Sequence, residues 1–345
     1  MTLTDELRNY AGSRGVDLVG CTPARPLKVG DNGEPFDPHR FLPNARCCVV
    51  AACYVYGFER PEPSRPGSPR GKFGPWTRAS LAAWHYGETV VKEFLERRGY
   101  KAVLANEIPY KVLAVRSGIA CYGKNSIVHA DGYGSYLKLA GVITDAELDC
   151  VDRPTETSDC GDCTACVEAC PTGALQQPYR LRWDRCITAW LWGMPIERSC
   201  RPMIGNYIFR CGFCQDACPK NEHLKPRGTF PFGIESKADC PELIPLLLGE
   251  EAYLRRTLPA FVLEAGIDTV RRNVAVALGN SGDPAAAAAL SEALRAAPAK
   301  VRAAAAWALG RLRGKEAVVA LERAIHEEKE DNVRREIGEA LRAVR

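Results

Sequence analysis

No stretch of the 345-residue chain approaches the roughly 18 uninterrupted apolar residues that a membrane-spanning helix needs. The first residues, Met1-Thr2-Leu3-Thr4-Asp5-Glu6, lack the basic and then apolar regions of a secretory signal. The expectation is a cytoplasmic protein with no membrane contact. An excess of one charge is lacking too: 46 Lys and Arg against 42 Asp and Glu leave a formal +4, and 46% hydrophobic with 26% charged residues is an ordinary soluble composition. These proportions exclude a disordered or collagen-like chain. No G-x-G-x-x-G follows an expected strand and Lys124 belongs to no Walker sequence, so nothing supports nucleotide binding. At about 150 residues per domain, the length suggests two or three domains.

What the sequence has in excess is cysteine. Sixteen thiols have little use as disulfides in a reducing cytosol, and metal binding is the better reading. They concentrate between Cys160 and Cys218 in two phrases. Cys160-Gly161-Asp162-Cys163-Thr164-Ala165-Cys166-Val167-Glu168-Ala169-Cys170-Pro171 is a complete C-x2-C-x2-C-x3-C-P run. In such a run three cysteines wrap one 4Fe-4S cube and the fourth points to a second. Cys211-Gly212-Phe213-Cys214-Gln215-Asp216-Ala217-Cys218-Pro219 keeps the last three cysteines and the proline, with Ile208 in the first position. Exchanging the two C-P cysteines gives one cluster on Cys160, Cys163, Cys166 and Cys218. The second then has Cys170, Cys211, Cys214 and one ligand to find.

Cys186 and Cys200 compete for that place. Cys186 opens an apolar helix-like stretch that can be buried against a cluster, whereas Cys200 sits among Arg198, Ser199 and Arg201. Two zinc sites are the competing reading. Zinc gives the C-x2-C-x2-C triplet and the two C-P endings no purpose, so iron-sulfur clusters are favoured. Cys21, Cys47, Cys48, Cys53, Cys121, Cys150 and Cys240 show no ligand spacing and read as small apolar residues.

Residues 1–150 alternate helical and extended patterns, the signature of a sheet with helices layered on it. Helices are expected at 4–13, at 79–98 and from Pro109 to no further than Gly118. Strands are expected at 16–20, 47–56 and 102–104, the second apolar almost throughout and so covered on both faces. The Pro- and Gly-rich stretch 59–75 reads as a loop. Gly123-Lys124-Asn125-Ser126 and Gly132-Tyr133-Gly134-Ser135-Tyr136 place small and polar residues in further loops, serving either ordinary turns or close approach to a large flat ligand.

After about residue 268, similar segments open at Val270-Arg271-Arg272, Val301-Arg302-Ala303 and Val333-Arg334-Arg335, at spacings of 31 and 32 residues. An alanine-rich helical repeat of this period resembles HEAT units, each hiding its apolar face against the next. Stacking aligns the second-position arginines, so Arg271, Arg272 and Arg302 are expected to meet an RNA phosphate backbone. A solvated helix start is the plain alternative.

This order of features resembles the epoxyqueuosine reductases, cobalamin-dependent iron-sulfur enzymes that complete the wobble nucleoside queuosine in tRNA. The likeness covers nearly the whole chain. It is carried by Phe41-Leu42-Pro43-Asn44-Ala45-Arg46, Gly118-Ile119-Ala120-Cys121-Tyr122-Gly123-Lys124-Asn125-Ser126, Tyr133-Gly134-Ser135, the two cysteine phrases and Arg185-Cys186-Ile187. Arg201-Pro202-Met203-Ile204-Gly205-Asn206 and Arg272-Asn273-Val274-Ala275-Val276-Ala277-Leu278-Gly279-Asn280 complete it.

The resemblance implies an α+β chain in three parts. A nitroreductase-like cobalamin domain would occupy 1–150, a ferredoxin-like double 4Fe-4S module 151–235, and HEAT-like helices 236–345. It implies two 4Fe-4S clusters with Cys186 as the missing ligand, and cobalamin, for which Lys124, Asn125, Ser126, Tyr133 and Ser135 are the expected contacts. It also implies tRNA as partner, an external low-potential electron donor and action as a monomer. The implied reaction removes the epoxide oxygen of epoxyqueuosine as water, with electrons passing through the clusters to cobalt and an acid supplying a proton. A related corrinoid reductase for another substrate, and a two-cluster electron carrier without cobalamin, are the other readings.

On the substrate side the chain departs from the family. The family's acid is an aspartate in a D-x-x-P phrase, where this chain has Asn106-Glu107-Ile108-Pro109. An amide cannot give up a proton as a carboxylic acid does, and Glu107 can serve only if its loop turns inward; otherwise it is an acidic residue at a helix start. Asn106 and Glu107 are the positions carried forward as catalytic. The family's R-D-Y-H has become Ala83-Trp84-His85-Tyr86, and its C-P-W-N has become Cys218-Pro219-Lys220-Asn221. His85 is a retained substrate contact or a half-buried histidine.

Overall fold

The computed structural model describes residues 1–28, 35–57, 64–75, 77–154, 159–233 and 240–344. The chain forms two compact units, one of Met1–Phe58, Arg78–Leu181 and Phe213–Lys237, the other of Glu59–Thr77, Arg182–Gly212 and Ala238–Arg345. They do not follow the three consecutive domains expected from the sequence: the cysteine-rich segment contributes to both. The expected boundary at 235/236 lies outside the described residues.

In the first unit, helix α1 (Leu3–Ser13) is started by a reciprocal cap. The Thr2 hydroxyl accepts the Asp5 amide while the Asp5 carboxylate accepts the Thr2 amide, satisfying two otherwise orphaned donors. A four-stranded antiparallel sheet follows, built from β1 (Leu18–Pro23), β2 (Cys47–Tyr54), β3 (Ala102–Val103) and β4 (Leu137–Thr144) in the spatial order β1-β2-β4-β3. Helices α2 (Thr77–Glu96) and α3 (Tyr110–Arg116) complete the layers.

Every residue of β2 is buried, and the pleat explains how. Cys48, Val50 and Ala52 face a core shared with Leu113 and Ala114 of α3. Ala51 and Cys53 face α2, where Gly87 lets the helix approach so closely that a Cβ there would lie 3.0 Å from Ala140 Cβ and 3.7 Å from Ala51 Cβ and Cys53 Sγ. Two covered faces demand the apolar run that the sequence displays. The first strand forms later than expected, at 18–23, because Cys21 and Thr22 continue the pairing opposite Val49 and Cys48. Cys21, Cys47, Cys48 and Cys53 are buried apolar thiols, as expected, while Cys121, Cys150 and Cys240 are half-buried.

The second unit is mainly helical. Its Pro- and Gly-rich segment, described from residue 64, contains a two-residue strand, Lys72–Phe73, parallel to Tyr207–Phe209. Residues 59–63 of the expected loop lie outside the described residues. Helices α4 (Ile267–Ser281), α5 (Ala286–Ala296), α6 (Ala299–Leu312), α7 (Lys315–Glu327) and α8 (Asp331–Val344) realise the repeat. The segments opened by Val270, Val301 and Val333 are α4, α6 and α8, and α6 packs between the other two. Two glycines mark the touching points. A Cβ on Gly279 would come within 2.8 Å of Ala308 Cα, and one on Gly310 within 2.9 Å of Ala340 Cβ. No helix among the described residues is long and apolar enough to cross a membrane.

Candidate metal centre and cofactor site

Four cysteines converge in the first unit. The Cys163 amide donates to Cys160 O at 3.0 Å, closing the first turn of the loop, and the short helix Ala165–Glu168 carries buried Cys166. Cys218 arrives from the second phrase, its amide closed on Gln215 O at 3.1 Å. Burial, and then repulsion from Cys218, Cys160 and Cys163, pushes the Cys166 thiol up. Burial likewise raises the Cys218 thiol, with Cys160 and Cys163 adding to it. Thiols crowded in this way penalise one another's ionisation unless positive charge lies among them, and an iron-sulfur cube supplies that charge. The donor set therefore fits a 4Fe-4S cluster.

The glycine-rich loops surround this set. Lys124 Nζ donates to the carbonyls of Gly161 and Cys163 at 2.5 and 3.0 Å. Asn125 is buried; its carbonyl oxygen accepts the Ile127 amide at 3.0 Å and its amide group donates to Cys214 O at 3.4 Å. Buried Asn221, in the altered C-P phrase, accepts the Ser135 amide at 2.8 Å and donates to Ser135 Oγ at 2.9 Å and Gln215 O at 2.7 Å. Gly134, at φ +54°, allows this contact: a Cβ there would lie 2.8 Å from Lys220 O. Tyr133 stands edge-on to Tyr54 at 5.6 Å. Of the five expected cofactor contacts, Lys124, Asn125 and Ser135 are thus engaged in joining loops to the cysteine phrases. Ser126 differs. Its backbone is left-handed at φ 61°, and its Oγ is buried without a hydrogen-bond partner.

In the second unit, Cys186 precedes the helix Ile187–Trp192, and Thr188 Oγ1 of that helix lies 3.8 Å from Cys211 Sγ. Cys200 sits on the 3-10 segment Arg198–Ile204, with its sulfur beside Ser199 Oγ. Cys170 and Cys214 belong to the first unit and Cys186 and Cys211 to the second.

The expected row of free arginines takes another form. Arg272 is buried, only 7% exposed, and donates to Trp190 O at 2.5 Å and Met194 O at 2.8 Å. Its neighbour Asn273 donates to Leu191 O and Ile208 O at 2.8 and 3.0 Å. Together they latch α4 onto the segments that carry Cys186 and Cys211. Arg271 donates to Gly249 O at 2.6 Å, and Arg302 is paired with Glu328 at 2.7 and 2.8 Å. Arg271, Arg272 and Arg302 turn to the backbone carbonyls and the carboxylate that helix–helix stacking leaves to be satisfied, whereas Arg334 and Arg335 of the third segment stay exposed.

Asn106 and Glu107 occupy an exposed turn that ends before α3, so Glu107 is not a helix-start residue. His85 is exposed rather than half-buried, and Trp84 stacks on its ring at 5.2 Å. Sequence reading missed Glu88. Its signal was present: Leu81, Trp84, Glu88, Val91 and Leu95 recur at helical spacing, which puts a carboxylate in an apolar stripe. Glu88 is only 5% exposed, and burial raises its pKa against the pull of His85 and Lys138. The Trp84 indole lies beside it, but Trp84 Nε1 reaches no hydrogen-bond geometry.

Fold and site define an iron-sulfur protein with a double-cluster module and a HEAT-type helical region. A profile for 4Fe-4S double cluster binding domains matches residues 159–221, and one for HEAT repeats matches 260–342. The epoxyqueuosine reductase of Bacillus subtilis (strain 168) is 29% identical over 98% of this chain and 95% of that protein. That of Pseudomonas aeruginosa is 38% identical, but over 50% of this chain and 48% of its own length. Among solved structures, the Bacillus subtilis epoxyqueuosine reductase with its catalytic aspartate loop swung out of the active site matches at TM-score 0.85, 27% identity and 99% of both chains. An epoxyqueuosine reductase with an epoxyqueuosine-modified tRNA-Tyr stem loop matches at TM-score 0.85 and 26% identity, covering 99% of this chain and 98% of that one. Sequence and fold together make the chain similar, over nearly its whole length, to epoxyqueuosine reductases.

Proposed function

We propose that the chain is a cobalamin-dependent iron-sulfur reductase that removes the epoxide oxygen of epoxyqueuosine in tRNA to give queuosine. The observation that carries this reading is the convergence of Cys160, Cys163, Cys166 and Cys218, within a chain similar over its whole length to epoxyqueuosine reductases. These four hold the first 4Fe-4S cluster. Cys170, Cys211, Cys214 and Cys186 hold the second, and the Thr188 contact with Cys211 favours Cys186 over Cys200.

Cobalamin fits the first unit. Ser126 Oγ is a buried polar group whose hydrogen-bonding capacity the protein does not use, the kind of atom that a polar cofactor side chain takes up. Ser126 and Tyr133 would hold the corrinoid, while Lys124, Asn125 and Ser135 fix the loops that present it. When bound, cobalamin supplies the low-potential two-electron chemistry that the side chains lack. The clusters each hold one electron drawn from an external low-potential donor. A tRNA substrate places the protein in the cytoplasm, and it acts there as a monomer.

An anaerobic titration of the cluster-reconstituted protein with cobalamin tests this reading. A stoichiometric base-off spectrum that reduces through the clusters is expected, followed by loss of epoxyqueuosine and gain of queuosine in digested tRNA. Cluster absorbance without cobalamin binding would leave a two-cluster electron carrier. The exposed Asn106 favours a second reading, a reductase of the same type acting on another oxygen- or halogen-bearing substrate. Corrinoid reduction with no change in epoxyqueuosine would select it.

A further inference from the structure

The turn at Asn106 carries only an exposed carboxylic acid, Glu107, whereas the one acidic residue in the buried set of the described residues, Glu88, lies on α2, whose Trp84 meets Tyr110 just after that turn. We propose that His85 and Glu88 on α2 form the proton-delivering pair of the reaction, with His85 presenting the proton to the departing oxygen and Glu88 holding the imidazole. This rests on the epoxide-reductase reading and names the group that reading leaves open.

A carboxylate is buried at a cost unless a partner answers it. The two other deeply set acidic side chains have guanidinium partners: Asp17 meets Arg227 at 2.6 Å, and Glu328 meets Arg302. For Glu88 the basic side chain within reach is His85, with Nδ1 3.8 Å from Glu88 Oε2, longer than a hydrogen bond. The two side chains differ sharply in exposure, 64% for His85 and 6% for Glu88. A buried carboxylate beside an outward-reaching imidazole orients a proton-transferring histidine when the two close to hydrogen-bond distance, and such contacts are often long before substrate binds. The parallel Trp84 ring holds the imidazole from one side, at an interplanar angle of 17°.

The pair also stands in the right place. Tyr110, the first residue of α3, directly follows the Asn106–Pro109 turn. Its ring meets Trp84 edge-on at 6.1 Å and its hydroxyl donates to Ala105 O at 3.4 Å. The charge of Glu88 reaches Tyr110, as does that of Glu107 on the turn. Lys138 of β4, with Nζ 5.2 Å from the centre of the Trp84 ring, is the remaining charge facing Glu88. The turn that bears the family's acid and the helix that bears this pair therefore meet on one surface of the first unit.

The proton count follows. Deoxygenating an epoxide to an alkene breaks two C–O bonds, forms one C=C bond, takes up two electrons and two protons, and releases one water. The external donor supplies the electrons through the clusters. His85 gives the first proton to the oxygen as the first C–O bond opens, and solvent gives the second and reprotonates His85.

The test uses the full chain reconstituted with both clusters and cobalamin, and a tRNA stem loop carrying epoxyqueuosine. Single-turnover rates are measured across pH for the wild type, His85→Gln and Glu88→Gln, together with stem-loop Kd, cluster EPR after reduction, and melting temperature. His85→Gln should lower the rate by about 100-fold and flatten its pH profile, and Glu88→Gln should lower the rate by about 10-fold or more. Kd, EPR and melting temperature should stay at wild-type values. Wild-type rates and pH profiles in both variants would overturn the pair while leaving the function standing, as would slowing matched by lost EPR signal or lowered melting temperature in both. A wild type that reduces cobalamin but leaves epoxyqueuosine intact would overturn the function, and the pair with it.

Discussion

Lys124 Nζ donates to the Gly161 and Cys163 carbonyls, so that a residue of the glycine-rich loop Gly123-Lys124-Asn125-Ser126 clamps the loop that carries Cys160 and Cys163. The family resemblance makes Lys124 a cobalamin contact, but here the ammonium satisfies backbone oxygens beside Cys160 and Cys163. Groups just beyond the ligands typically set metal retention by 10- to 100-fold. Lys124→Met should therefore fold normally and lose iron to a chelator about 10-fold faster than the wild type. Unchanged iron release, with weakened cobalamin binding instead, would return Lys124 to the corrinoid.

The fourth ligand of the second cluster can be decided by counting iron. With Cys186 in that place, Cys186→Ala should fall from about eight to about four iron atoms per chain, whereas Cys200→Ala should keep about eight. The reverse pattern would hand the position to Cys200.

Arg272 separates a stabilising role from an RNA-binding one. Its removal strands the buried Trp190 carbonyl, at about 1–3 kcal/mol for a buried unsatisfied group, and frees the part-buried Met194 carbonyl. Arg272→Ala should lower the melting temperature and reduce cluster content, because the latched segments carry Cys186 and Cys211. The salt dependence of stem-loop binding should not move. A phosphate contact would instead lower the salt slope by about one unit without destabilising the chain.

Acid should loosen the helical repeat through one pair. The Arg302 guanidinium, helped by the Lys329 and Glu330 amides, holds the Glu328 carboxyl far below its usual 4.5, at about 2. A depressed carboxylate pKa stabilises the fold above the unfolded value and loses that contribution as pH falls through the folded one. Melting temperature should therefore decline between about pH 4.5 and 2 in the wild type, and Glu328→Gln should abolish that part of the slope. An identical decline in the variant would assign it to other groups.

The convergence of Cys160, Cys163, Cys166 and Cys218 was legible in the sequence because iron-sulfur chemistry fixes both residue type and spacing within a few positions. β2 was legible because a strand covered on both faces must be apolar throughout. The repeat was legible as a period, but the direction of its arginines was not. Arg272 is buried by segments some 80 residues away, and no local pattern encodes the Trp190 and Met194 carbonyls that receive it. The same holds for Asn221, whose value lies in Ser135 and Gln215 rather than in its own phrase. Glu88 stands in the sequence as the one charge within the helical stripe Leu81, Trp84, Val91 and Leu95, a position that encodes its burial.

Asn106→Asp asks whether the exposed turn still matters. If the His85–Glu88 pair delivers the proton, restoring a carboxyl at 106 should change the wild-type single-turnover rate by less than about 2-fold, since a competent donor is already in place. In the Glu88→Gln background the same substitution should recover much of the lost rate, because the new acid then supplies what the pair cannot. A general acid typically contributes 10²–10⁴-fold, so the two backgrounds are readily distinguished. A gain of about 100-fold from Asn106→Asp in the wild type would mean that the chain had no working donor, and that its natural substrate needs less help in leaving than an epoxide does.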